Sequence, residues 1–162
     1  MNKKLLKLII VSSIYVVLCF IFQSISFGPI QLRLSEILCL FTIENPIYII
    51  AITIGCFISN LLLSPLGIID AIIGSLVSGI ACIIGYLFRK IKLKNFPLLS
   101  AITISFVNAI VIALEMDYVL NNSSIFIYSF IEILISELLI LVVIGYPIYN
   151  KLLKIINKKE LY

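Results

Sequence analysis

The sequence predicts an all-α membrane protein, a single transmembrane domain over residues 1–162 with six spanning helices, the second of them short. Three observations predict it: composition, the lengths of the apolar runs, and the placement of the charges. Of the 162 residues, 62% are hydrophobic and 12% are charged, where soluble domains are about half apolar and a quarter charged. The mean hydropathy is +1.24. A water-soluble fold of this length cannot hide so much apolar surface, so lipid is the solvent for most of the chain.

The runs follow in order. Leu5–Phe22 is too long for a signal-peptide core and no small-x-small cleavage site follows it, so it reads as a first spanning helix. Ile47–Leu63, Ala71–Phe88 and Phe96–Leu114 have spanning length, and Ile125–Ile148 does too although it carries Glu132 and Glu137. Between the first two lies Leu32–Phe41, whose ten residues reach only about 15 Å, half a hydrocarbon core. A segment that short needs irregular or tilted backbone at its ends, which is tolerable only where protein covers it.

Charge decides whether it counts. Lys3, Lys4 and Lys7 open the chain, Arg89, Lys90, Lys92 and Lys94 form one internal cluster, and Lys151, Lys154, Lys158 and Lys159 close it. Basic clusters flanking apolar segments mark the cytoplasmic side. All three share that side only if an even number of spans separates them, which requires the short segment. The reading is six helices with both termini cytoplasmic. The outer connections are then Ser24–Gln31, Ser64–Gly67 and Asp117–Ser124, with Gly28-Pro29, Ser64-Pro65 and Asn121-Asn122 as turn signals.

The same census excludes several functions. Once topology has used the lysines no basic face remains for nucleic acid. Cys19, Cys39, Cys56 and Cys82 stand singly in apolar runs and the chain has no histidine, so no metal site and no cofactor is expected, and the cysteines read as helix-packing residues. Without histidine or paired deep aspartates, intramembrane catalysis lacks its groups.

Carboxylates inside a bilayer cost about 2.5–3.5 kcal/mol on insertion scales, so they face the bundle interior or mark a site. By depth, Arg33, Glu36, Asn60, Asp70 and Glu115 fall in the outer half, Glu132 and Glu137 in the outer half to middle and Asn108 midway, as in a cup open to the outside. Asn108 and Glu115 are seven residues apart and share a helix face with Ser105. Asp70, Gly74 and Ser78 share another, where Gly74 leaves room beside the carboxylate. Glu132 and Glu137 point about 140° apart. Plainer roles are available for most of these groups. Gly67, Ala71, Ser75 and Gly79 form a small-residue packing ladder, Arg33 pairs with Glu36 at i, i+3, Asn60 and Asn108 bond between helices, and Glu115 and Asp117 sit solvated at a helix end.

The run ISFGPIQLRLSE, Ile25 to Glu36, resembles the signature of the queuosine-precursor transporter (QueT) family. The likeness continues in order through GCFISNLL (Gly55–Leu62), LGIIDAIIGSL (Leu66–Leu76), Asn108-Ala109, and Glu137 followed by an apolar run and Gly145-Tyr146-Pro147. The resemblance implies a substrate-capture (S) component of an energy-coupling factor (ECF) importer, with a six-helix bundle and a pocket open outward. It implies a membrane partner, the T component, and two cytoplasmic ATPases, since this chain has no phosphate-binding loop of its own. It also implies a 7-deazaguanine ligand (aminomethyl, cyano or queuine) and carries over Gln31, Arg33, Glu36, Asn60, Asp70, Asn108 and Glu137 as site positions.

Chemistry suggests roles for these positions. Glu137 or Asp70 takes the paired N–H donors of the guanine-like edge, Glu36 or the remaining acid takes an amine, Gln31, Asn60 and Asn108 supply amides, and Tyr118 stacks from the rim. Such components dock through Ala-x-x-x-Ala on the first helix; here Ile9 and Ser13 occupy those places, and Ser12 with Ser13 supplies the small surface. The rival reading is a stand-alone, ion-coupled secondary transporter, which would use Glu132 or Glu137 as a proton carrier.

Overall fold

Within lipid only a helix closes every backbone hydrogen bond inside its own segment, and the apolar runs fold accordingly. The computed structural model describes residues 3–27, 31–120 and 125–159, with no strand among them. Helix α1 is Lys3–Ile21, extended by a single turn, α2, Gln23–Ser26. A 3₁₀ turn, Leu34–Leu38, leads into the short α3, Cys39–Glu44. Then come α4, Ile47–Leu63, α5, Ile68–Leu87, and α6, Leu98–Leu120. The last long helix runs as α7, Ile125–Leu138, a π-helical stretch, Leu139–Ile144, and α8, Gly145–Lys159.

Four stretches are long and apolar enough to cross a membrane: Lys3–Ile21, Ile68–Leu87, Leu98–Leu120 and Ile125–Lys151. Helix α4 is as apolar but has 17 residues, about 26 Å of rise. The chain is a multi-pass membrane protein. Three boundaries differ most from expectation: α2 takes in Ser24–Ser26, the last helix runs beyond Ile148 to Lys159, and α6 continues past Leu114 to Leu120. Glu115, Asp117 and Tyr118 are therefore helical, and the connection expected from Asp117 is shorter by that turn. Its remaining residues 121–124, like Gly28-Pro29, lie outside the described residues.

The long helices pack in chain order, α1 on α4, α4 on α5, α5 on α6 and α6 on α7. The short second segment does not sit at the edge. Ser35, Glu36, Leu38, Cys39, Leu40, Thr42 and Ile43 are all buried, against α1, α4, α5 and the π-helical stretch. Protein thus shields a 3₁₀ turn, with its poorer hydrogen bonds, from lipid.

Helix α1 buries only Ser12, Tyr15 and Cys19, a stripe spaced three and four residues apart. Ser12 Oγ donates to the Ala51 carbonyl at 2.8 Å. It therefore lies in the seam with α4, not on the outward surface expected of it. Ile9, at 48% exposed, and Ser13 do lie outward. The seam is tight because position 55 is glycine: a Cβ there would stand 2.8 Å from Tyr15 Cβ. Gly55→Val is expected to force α1 off α4 and cost about 1–3 kcal/mol, read as a lower thermal midpoint in detergent.

The small-residue ladder on α5 is only partly a packing ladder. Gly79 faces Thr53 of α4 at 2.7 Å from a built Cβ, and Ala71 and Cys82 are fully buried. Gly67 packs against nothing. It holds φ +56 as the residue capping α5, a left-handed backbone that glycine adopts without penalty. At the bundle end carrying the Arg89–Lys94 loop, Lys92 bridges Glu44 at 3.1 Å and hydrogen-bonds Tyr149, whose hydroxyl also donates to Glu44. This knot ties α3, the α5–α6 loop and α8 together.

Candidate ligand-binding site

A cleft opens at the opposite end, between the α4–α5 turn, α6 and α7, and encloses about 430 Å³. That is room for a small-molecule ligand. Apolar walls come from Ile112, Met116, Val119 and Ile133; Gln31, Arg33, Asp70, Glu115, Ser129 and Glu132 bring polar groups to it. Beneath lies a narrow recess of about 10 Å³, enough for roughly one water. It shares Gln31, Arg33, Ile112 and Ile133 with the cleft and adds Glu36, Ser78, Asn108 and Glu137. The two form a wide mouth over a polar floor.

Gln31 reaches both spaces from a left-handed backbone, φ 42. Non-glycine residues adopt that conformation at a cost and are enriched at ligand sites.

One wall is an ion-pair network. Arg33 Nη2 lies 3.3 Å from Asp70 Oδ2, and its Nη1 donates to Asn60 Oδ1 at 3.4 Å. Asn60 Nδ2 in turn donates to the Asp70 carbonyl at 3.0 Å and to Oδ1 at 3.2 Å. The guanidinium also sits over the Phe27 ring, 5.1 Å from its centroid. Both Asp70 oxygens are thus occupied by the protein. The space beside Gly74 is filled as well, since a Cβ there would meet Asn60 Nδ2 at 2.6 Å and Asp70 Oδ1 at 2.9 Å. That glycine admits the Asn60 amide, so the room expected beside the carboxylate is already taken.

The Arg33–Glu36 pair expected at i, i+3 does not form. Arg33 precedes the 3₁₀ turn in extended backbone, φ −90 and ψ 89, so helical spacing does not apply to it. Glu36 accepts instead from the Tyr15 hydroxyl and, at 2.9 Å, from Cys39 Sγ. Both of its oxygens are engaged inside the core.

Other carboxylates are not satisfied. Glu137 is 6% exposed and its Oε2 has no hydrogen-bond partner among the described residues. Asn108 lines the same recess, and its Oδ1 has no partner among the described residues either. Two unpartnered acceptors therefore line the recess together. Glu115, 5% exposed on α6, has both oxygens unpartnered. Buried polar groups left this way are uncommon, and each calls for a partner such as water, an ion or a ligand.

Of the expected positions, the structure brings Gln31, Arg33, Glu36, Asp70, Asn108 and Glu137 to the cleft or its floor and sets Asn60 just behind Asp70. Tyr118 is 84% exposed and lines neither space. Glu115, Glu132 and Ser129 line the cleft but were not among them. The seven-residue spacing of Asn108 and Glu115 already carried the signal for Glu115; Glu132 and Glu137 divide between cleft and recess.

Comparison with known proteins decides the family. Residues 5–154 match the family model described as the QueT transporter. The chain belongs to the QueT transporter family. It is 41% identical over 90 residues to the "Queuosine precursor transporter QueT" of Lactococcus lactis subsp. cremoris (strain MG1363). That match covers 54% of this chain and 52% of the relative, so the chain spans about half the length of the curated QueT it resembles. No solved structure matches. The QueT family is one of transporters, not of enzymes, and the cleft fits a family that moves small molecules.

Proposed function

We propose that this chain is the substrate-binding S component of an ECF-type importer, capturing a 7-deazaguanine queuosine precursor. The observation that carries the reading is the unpartnered Glu137 oxygen beside the Asn108 amide, at the floor of a cleft of about 430 Å³. A guanine-like edge presents adjacent N–H donors, which the Glu137 carboxylate accepts with charge-assisted strength and which the Asn108 carbonyl oxygen beside it also accepts. Gln31 supports the base from above. Arg33, Asp70 and Asn60 act together as the rigid wall against which it lies.

In this reading the chain crosses the plasma membrane of a prokaryote six times with both termini cytoplasmic, and the cleft faces outward. The T component docks on the open face of α1, near Ile9 and Ser13, and two cytoplasmic ATPases drive release inward. The alternative, an ion-coupled secondary transporter, draws on the same Glu132 and Glu137. Uptake into proteoliposomes separates the two. The S-component reading expects accumulation of 7-aminomethyl-7-deazaguanine only when T component, ATPases and internal ATP are all supplied. Accumulation by this chain alone under a proton gradient would replace it with the alternative.

A further inference from the structure

The cleft holds an acid that the recess does not need. Glu115 is buried on α6, both of its oxygens lack hydrogen-bond partners among the described residues, and it lines the cleft above the Asn108–Glu137 floor. Helical spacing sets it two turns from Asn108 on the same face. The single cation among the described residues lining the cleft is Arg33, which is already engaged by Asp70 and Asn60. Glu132, on α7, adds a further carboxylate to the cleft.

We propose that Glu115 is the specificity-determining residue for a positively charged amino group on the ligand, making the cleft a cation subsite stacked above the base-recognising recess. This rests on the reading of the recess as a deazaguanine site and goes on to name the preferred substituent. Isolated buried carboxylates are costly, and pairing with a cation offsets that cost. Glu36 and Asp70 cannot serve because their oxygens already accept hydrogen bonds from Tyr15, Cys39, Arg33 and Asn60, and Glu132 is only half-buried. Glu137 is claimed by the base. An ammonium donates in three directions and so satisfies a carboxylate without bidentate geometry.

The test is titration of the full chain in detergent with 7-aminomethyl-7-deazaguanine, which is cationic, and 7-cyano-7-deazaguanine, which is neutral. Wild-type protein is expected to bind the amine at least tenfold more tightly, about 1.4 kcal/mol. Glu115→Gln should erase that preference, weakening the amine at least tenfold and leaving the nitrile within threefold. Equal loss of both ligands, or no loss of either, overturns the subsite and leaves the capture role standing. Wild-type protein that binds neither ligand overturns the capture role, and the subsite with it. Should Glu115→Gln not fold, the 7-methyl analogue serves on wild type, where affinity equal to that of the amine overturns the subsite.

Discussion

Glu137→Gln is expected to weaken deazaguanine binding about thirtyfold or more while leaving the ligand-free protein as stable as before. The size follows from the bond replaced. A hydrogen bond to a charged group contributes about 1.5–3 kcal/mol, and the guanine-like edge offers two donors to one carboxylate; about 2 kcal/mol corresponds to thirtyfold. The glutamine amide also presents N–H donors where the ligand presents its own. Stability is unaffected because Glu137 Oε2 has no partner among the described residues to lose. Glu132→Gln, at the mouth, is the matched control and should change affinity for an uncharged deazaguanine less than threefold. Titration calorimetry with a thermal melt of each variant reads both quantities. Unchanged affinity in Glu137→Gln would remove the recess from the binding site.

The second large effect is on folding. Arg33→Met is expected to cost about 3–5 kcal/mol, because it leaves Asp70 as a buried charge with no cation beside it. In a thermal melt that corresponds to a fall on the order of 10 °C. Asp70→Asn strands the guanidinium in the same way. Combining them should recover most of the loss. Both charges are then gone, the asparagine introduced at 70 still accepts from Asn60, and the Asn60 bond to the backbone carbonyl at 3.0 Å is untouched. A double variant no more stable than either single one would show that the network holds the wall through more than its charge pair. Arg33 lies 3.3 Å from Asp70 across 37 positions of chain, so the network pins the segment that leads into the 3₁₀ turn onto α5. Its loss should also loosen the cleft.

Much of this was legible in the sequence, because lipid imposes simple rules. Apolar run length located the long helices, and the shortness of Leu32–Phe41 demanded the protein cover that Ser35, Thr42 and Leu40 now enjoy, each at most 1% exposed. Depth along the helices gathered Asn108 and Glu137. What was not legible turned on local backbone and on pairings between distant segments. Spacing placed Arg33 beside Glu36, but Arg33 is not on the helix, and its extended backbone sends it to Asp70 instead. Gly74 leaves room beside the Asp70 carboxylate, and Asn60 fills it. Spacing leaves Glu115 between a face shared with Asn108 and a solvated helix end, because the apolar run stops at Leu114, whereas α6 continues to Leu120 and buries it. Tyr118, on the same extra turn, faces away from the cleft at 84% exposed.

The central claim, that the cleft captures a 7-deazaguanine, is tested most directly by thermal stabilisation of the detergent-purified chain. The ligands are 7-aminomethyl-7-deazaguanine, 7-cyano-7-deazaguanine, queuine, guanine and riboflavin. A ligand that binds only the folded state adds about 2.7 kcal/mol at 100 times its dissociation constant. The account predicts a clear rise in melting temperature with deazaguanines, none with riboflavin, and loss of the rise in Glu137→Gln. A folded protein whose melting temperature no deazaguanine moves would contradict it.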